Sequence, residues 1–316
     1  MSEPQCPEAV LVIGFNRPDA MEQVIASVRQ VRPPRLYLAV DGPRPDRAAE
    51  ADLVQACRDL AERIDWPCEV HTLFQESNLG CGQGVSTAIT WFFANEERGI
   101  ILEDDVIPDP SFFGFCAELL DRYQDDDRVL AISGCCFVPA SGLTRPQDPY
   151  RFSRVAHVWG WATWRRTWED YRLDIHDWRE GRTTAALFRW AGRSLRGMAY
   201  WAANFEMLGR RLIDTWDVQL NHEAFATGRL TATSNVNLVR NIGFGETATH
   251  TVVNAGDLQP VGSIALPTAA VAVEVDERAD AWTRRHHFKA TWFGMAAQLG
   301  RYLRRRVAGA RERRSR

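Results

Sequence analysis

Three adjacent carboxylates, Glu103-Asp104-Asp105, close the short apolar run Ile100-Ile101-Leu102. Like charges this close raise one another's pKa unless a cation or hydrogen-bond donors compensate. A divalent metal is one such cation, since carboxylate oxygens are its natural hard ligands. A solvated acidic turn capping the next helix is the other reading, and the triplet alone leaves both open. Other polar groups also follow apolar runs: Asn16-Arg17, Asp41-Gly42 and Asn78. Further along, Asp214-Thr215-Trp216-Asp217 places two acids beside a tryptophan. Trp216 could partly desolvate Asp217 and raise its pKa, as a general base requires. An ion pair with Arg210 or Arg211 is the structural alternative, and Asp214 rivals Asp217 for the role. His250 lies in the Gly- and Thr-rich stretch from Asn241 to Thr251, just after Arg240. It could ligate a metal, although a lone histidine is more often structural. Arg240 could pair with an anionic group through its planar fork.

The elements that would position these groups follow a regular rhythm. Ala9 to Phe15, Leu36 to Val40 and the run from Gly99 read as buried strands, and Glu69 to Phe74 and Val129 to Ile132 as further strands. Ala20 to Gln30, Ala48 to Ile64, Gly82 to Asn95 and Ser111 to Tyr123 read as helices. Strand and helix alternate with short connections, which predicts an α/β fold: a mostly parallel central sheet with helices on both faces. Ligands of such sheets bind outside the carboxyl ends of the strands. Asn16-Arg17, Asp41-Gly42, Asn78 and the acidic triplet all fall on that edge.

The rhythm stops near Ser133. Seven of the twelve tryptophans lie between Arg154 and Trp201. Indole faces pack well on the C–H faces of sugars, so Trp161, Trp164 and Trp216 are candidates for an acceptor platform. A second core is the alternative, because tryptophan is heavily buried on average. Ala199 to Ile213 reads as a helix and Leu230 to Arg240 as a strand; Val253 to Val275 is apolar but irregular. His287 to Arg306 reads as an amphipathic basic helix with an Arg-rich tail.

The totals, 316 residues with 45% apolar and 25% charged, fit an ordinary globular protein. A net charge of −3 argues against a general nucleic-acid binder. Arg301 to Arg316 holds eight arginines against Glu312, hence +7, which leaves −10 on the preceding 300 residues. That tail could contact anionic lipid or remain solvated. The seven cysteines lack metal-ligand spacing and read as buried thiols. No signal-peptide pattern and no apolar run of membrane-spanning length is present. The cytoplasm of a prokaryote is therefore the expected compartment, with the inner face of the membrane as a place of peripheral contact. Gly80-Cys81-Gly82-Gln83-Gly84 does not fit G-x-G-x-x-G and follows the third strand, which argues against a dinucleotide-binding dehydrogenase. A sugar nucleotidyltransferase should carry its Gly-rich loop after the first strand, where this chain has Asn16-Arg17-Pro18.

Together these motifs resemble glycosyltransferases of the GT-A fold. The likeness is to family-2-like bacterial sugar transferases and to the N-acetylglucosaminyltransferase I type. It spans roughly Val10 to Thr251 and rests on FNRP (Phe15 to Pro18), VDG (Val40 to Gly42), NLG (Asn78 to Gly80) and, above all, LEDDVIPDPSFF (Leu102 to Phe113). GWATWRRTW (Gly160 to Trp168) and the pair Trp216-Asp217 add to it. The resemblance implies a metal-dependent inverting transfer of a hexosyl or N-acetylhexosaminyl group. The donor would be a nucleoside diphosphate sugar, with UDP as the expected nucleotide, and the acceptor a glycan or glycolipid hydroxyl. Asp105 would ligate Mn²⁺ or Mg²⁺, with Glu103 and Asp104 facing the donor sugar and ribose. Asp41 would accept from the uracil or ribose, Asn16 and Arg17 would line the nucleotide pocket with Asn78 nearby, and Asp217 would be the base. By analogy the product is a surface polysaccharide, lipopolysaccharide or glycolipid. Residues 1–135 would form the nucleotide-sugar half and 136–270 the acceptor half, with 271–316 as the C-terminal helix and tail. The rival to this enzyme is a non-catalytic sugar-binding or membrane-associated protein on a decayed transferase fold.

Overall fold

The structure, a computed structural model, describes residues 6–180, 184–243 and 258–290. Strands β1 (Val10–Gly14), β2 (Arg35–Val40), β3 (Glu69–Phe74) and β4 (Arg98–Glu103) pair in parallel, in the order β3-β2-β1-β4. Helices α1 (Pro18–Arg29), α2 (Glu50–Asp59) and α3 (Gly80–Asn95) make the crossovers. Alternate side chains of these strands go to opposite faces. Val10, Val12, Leu36, Leu38, Ile100 and Leu102 join one core, beneath α1 and α2. Leu11, Ile13, Tyr37, Ala39 and Ile101 join the other, beneath α3. Burial on both faces is why β1, β2 and β4 read as continuous apolar runs, whereas β3, at the edge of the sheet, is half-exposed.

After β4 a short strand β5 (Val106–Pro108) leads into α4 (Pro110–Arg122) and then β6 (Val129–Ser133). Asp109 caps α4 by accepting from the Ser111 N–H at 2.9 Å. The remaining strands are β7 (Tyr150–Ser153), β8 (Trp161–Trp164), β9 (Leu230–Ser234) and β10 (Val239–Asn241). The full sheet order is β3-β2-β1-β4-β8-β6-β9-β7. Strand β8 is antiparallel to both β4 and β6, and β7 is antiparallel to β9. The sheet is therefore mixed, with β8 wedged between two strands of the opposite direction. It runs without a break through the two halves expected from the sequence. Helices α5 (Arg165–Trp168), α6 (Thr184–Trp190), α7 (Leu195–Gly209) and α8 (Asp217–Thr227) follow β8, and α9 (Glu277–His286) docks on β7.

Several boundaries differ from the sequence expectation. The helix expected over 48–64 is α2 followed by a 3₁₀ turn at Leu60–Arg63. The strand expected over 230–240 divides into β9, in the large sheet, and β10, which pairs with β5 in a separate ribbon. The basic helix expected from His287 is not formed over 287–290: α9 ends at His286, and Phe288 turns onto Tyr200 and Trp201. Residues 291–316, with the Arg-rich tail, lie outside the described residues. Asp276 opens α9 by accepting from the Arg278 and Ala279 N–H groups, and buried Asp280 accepts from the Ser153 hydroxyl at 2.7 Å. Among the described residues no helix is long and apolar enough to cross a membrane.

The tryptophan-rich region is a core. Trp161, Trp164 and Trp216 are 1%, 4% and 2% exposed, which corrects their reading as an acceptor platform. Trp161 and Trp216 stack on each other at 5.6 Å. The Trp164 indole N–H is spent on the Leu120 carbonyl at 3.1 Å. A sugar cannot reach ring faces that are already covered by protein.

Candidate active site

The carboxyl ends of β1, β2 and β4 open into a cavity of about 400 Å³. Its floor includes Ile13, Ala39, Leu73, Val85 and Ala88, and its polar wall includes Asn16, Arg17, Asp41, Asn78 and the triplet Glu103-Asp104-Asp105. Every donor-side residue singled out from the sequence lies here except Arg240. That side chain is exposed on β10 and does not line the cavity. The chain after β10 does reach the site. A Cβ on Gly243 would lie 2.0 Å from Asp105 Oδ2 and 3.1 Å from Arg17 Nη1. His250 lies outside the described residues.

Arg17 organises the acids. It leaves the end of β1 just before α1, and its guanidinium reaches the end of β4. Its Nε and Nη2 donate to the two oxygens of Asp104, and its Nη1 lies 3.0 Å from Asp105 Oδ2. Burial pulls the guanidinium pKa down, but Asp104 and Asp105 outweigh it and hold Arg17 above its ordinary value. Burial pushes Asp104 up, against the opposing pull of Arg17. Among the described residues Glu103 makes no ion pair, although the charge of Arg17 opposes its rise. Burial, reinforced by Asp105, Asp104 and Asp217, raises it well above the usual carboxylate range. The triplet thus divides into two carboxylates sharing a cation and one that holds its proton more firmly.

Asp41 plays a different part from the one expected. Its oxygens accept from the Gly42 N–H at 2.8 Å, the Leu79 N–H at 2.9 Å, Asn78 Nδ2 at 2.9 Å and the Gly80 N–H at 3.2 Å. With so many donors engaged, the carboxylate binds the NLG turn rather than presenting free lone pairs to a base. Asn78 is correspondingly turned toward Asp41 and the Gly42 carbonyl. Asn16 donates to Glu50 at 3.3 Å, and Glu50 also holds Arg44. Arg44 lines the cavity and lies 5.4 Å from the centroid of the Phe15 ring.

Asp214 and Asp217 separate cleanly. Asp214 lines the cavity, and its two oxygens accept from the Cys81 and Gly82 N–H groups at 2.9 and 2.8 Å. Asp217 opens α8 and accepts from the Thr215 hydroxyl. Its charge is felt at Glu103 and at Cys81, whose thiol is raised chiefly by burial.

Sequence reasoning missed three participants. Glu50 and Arg44 carry no motif and are joined only by the fold. The third is the Gly80-x-Gly82-x-Gly84 spacing, set aside above as a failed dinucleotide fingerprint. A Cβ at Gly80 or Gly82 would lie 2.6 Å from an Asp214 oxygen, and one at Gly84 would lie 3.2 Å from Asp41 Oδ2. Glycines two residues apart at a helix start signal that something comes close, and here it is a pair of carboxylates.

Among the described residues, no group of three or more His, Cys, Asp or Glu side chains is arranged to hold a metal. In kind, the hard oxygens of Asp105 suit Mn²⁺ or Mg²⁺; in number, oxygens from a bound diphosphate must complete the shell.

No family model matches the chain, and no curated protein matches it. Among solved structures it is similar to HddC from Yersinia pseudotuberculosis, at 10% identity over 52% of this chain and 80% of that one, with a TM-score of 0.33. It is also similar to the inositol-1-phosphate CTP transferase from T. maritima, at 9% identity over 73% and 86%, with a TM-score of 0.34. Likeness at this level carries no activity from either protein to this chain. The α/β architecture rests on the sheet itself.

Proposed function

We propose that the protein transfers a sugar from a nucleoside diphosphate donor, a UDP-sugar first among candidates, to a hydroxyl of a glycan or glycolipid, with inversion at the anomeric carbon. The observation that carries this reading is the meeting of Arg17 with Asp104 and Asp105 on the wall of the cavity at the strand ends. A nucleotide sugar needs a site that can handle negative phosphates and sugar hydroxyls together, and this wall offers both charges.

In the reaction the acceptor oxygen bonds to the anomeric carbon while the bond to the diphosphate breaks. Asp217 takes the acceptor's proton, a step typically worth ~10²–10⁴-fold. Arg17 and Arg44 face the diphosphate, and Glu103 faces the donor sugar. Asp105 would hold Mn²⁺ or Mg²⁺ together with the phosphates, with His250 as a further candidate ligand. Such an ion, when bound, neutralises charge on the departing diphosphate. The apolar floor excludes water from the donor's inner face.

The test is a donor screen. The full chain is melted with UDP-, GDP-, TDP- and CMP-sugars, with and without Mn²⁺. A ligand that binds only the native state raises the midpoint by mass action. A shift with one nucleoside diphosphate class (UDP, GDP or TDP), reduced in Arg17→Ala, supports the reading, and a shift with CMP-sugars alone contradicts the diphosphate donor. No shift with any of them overturns it in favour of a non-catalytic protein on the same fold.

A further inference from the structure

We infer that Asp214 is a positioning residue, whose carboxylate pins the connection between α7 and α8 to the start of α3 and so sets the place of Asp217 beside the donor cavity. The role of Asp217 in this inference rests on the transferase reading; the pinning itself does not.

The start of α3 is shared between two carboxylates from distant parts of the chain. Asp41, at the end of β2, takes the N–H groups of Leu79 and Gly80. Asp214, after α7, takes those of Cys81 and Gly82 at 2.9 and 2.8 Å. N–H groups in a first helical turn lack intrahelical partners, and the helix dipole favours negative charge there. The sequence is fitted to this approach: Gly80 adopts φ +82°, and a Cβ at Gly82 would also lie 3.0 Å from the Thr215 carbonyl. A side chain at either glycine would push the connection away.

A second anchor follows two residues later. Trp216 is stacked on Trp161, and its carbonyl accepts from the Tyr171 hydroxyl at 3.0 Å. Gln219 ties the Thr215 carbonyl to the same region through a 2.6 Å bond. Asp214 and Trp216 thus bracket the approach to α8, and Asp217 emerges directly from the second anchor. Trp216 holds to the core beneath α3, while Asp214 holds to the cavity rim. With only the buried anchor, α8 would stay folded but its first turn could shift relative to the cavity. The geometry also explains why two acids lie so close in sequence. Both oxygens of Asp214 are committed to backbone N–H groups, which suits holding. Asp217 opens α8 itself and accepts from the Thr215 hydroxyl.

The experiment compares Asp214→Asn, Asp214→Ala and Gly82→Ala in the full chain. Amide hydrogen exchange is followed by mass spectrometry, alongside hydrolysis of the UDP-sugar that shifts the melting midpoint, with water as acceptor. Exchange should rise over residues 210–217 and 79–82, least in Asp214→Asn, which keeps one acceptor oxygen. Peptides from β1 and β4 should be unchanged. Turnover should fall about 10–100-fold in Asp214→Ala, the scale of a small misplacement, with an intermediate loss in Asp214→Asn. Gly82→Ala should reproduce both effects from the other side of the contact. Unchanged exchange over 210–217 overturns the inference. So does equal inactivity of the Asn and Ala variants with unchanged exchange, which would make Asp214 the base. If the parent protein turns over no UDP-sugar, the transferase reading fails, and the exchange pattern alone decides whether Asp214 pins the connection.

Discussion

The donor side and the tryptophan-rich side of this molecule contain equally suggestive residues, yet only one side kept them available. At the ends of β1, β2 and β4 the polar groups surround a cavity. On the other side the tryptophans meet one another. The difference lies in what a residue type can do. An acid at the end of a buried strand has few structural alternatives and must find a cation or hydrogen-bond donors, as Asp104 and Asp105 find Arg17 and Asp41 finds the N–H groups of Leu79 and Gly80. A tryptophan has an easy alternative, the core, and Trp161 and Trp216 take it.

The largest expected effect sharpens the donor side. Asp217→Asn should lower turnover ~10²–10⁴-fold while leaving UDP affinity intact, measured by steady-state kinetics and calorimetry. A loss confined to binding would remove Asp217 from the chemistry. The next effect concerns the tryptophan side. Trp161→Ala should destabilise the fold by ~3–5 kcal/mol, read by urea unfolding. An unchanged midpoint together with weaker acceptor binding would restore the platform reading and break the comparison.

A smaller effect comes from two imidazoles beneath the same region. Burial holds His157 well below its ordinary value and His287 down to about 4. Both are neutral in the folded protein above that range, whereas an unfolded histidine titrates near 6.5. Between pH 6.5 and 4 the unfolded chain therefore binds more protons, and stability falls as the pH falls. The slope should be ~1.4 kcal/mol per pH unit for His287, and above pH 6.5 neither histidine contributes. Unfolding series at pH 7 and pH 5 should show a shallower acid loss in His287→Gln than in the parent. The smallest effect is expected at Arg240. Arg240→Ala should change stability by less than about 0.5 kcal/mol and leave UDP affinity as it was; a clear loss of affinity would bring that exposed side chain into the site.

The sequence made β1, β2 and β4 legible because burial on both faces keeps their interiors apolar, so each run ends where its motif begins. Gly14, Val40 and Glu103 mark those ends. The second half was harder for a physical reason. Strand β8 enters between β4 and β6 from far along the chain, and nothing local to Trp161–Trp164 announces that insertion. Leu230 to Arg240 reads as one strand, yet it divides between two sheets because β5 offers β10 a separate partner. Within the site, Arg17 and the triplet could be read from motif and spacing. The engagement of Asp41 by four donors and the reach of Asp214 to α3 could not, because each depends on chain segments brought together only by the fold.

The central claim is that Arg17, Asp104 and Asp105 form a donor site for a nucleoside diphosphate sugar. It is tested most directly by titrating UDP into the parent protein and into Asp105→Asn, each with and without Mn²⁺, by calorimetry. The account predicts saturable binding by the parent that Mn²⁺ strengthens, and loss of that strengthening in Asp105→Asn. Binding that is indifferent to Mn²⁺ and to the Asp105 substitution, or no binding of UDP at all, would contradict it.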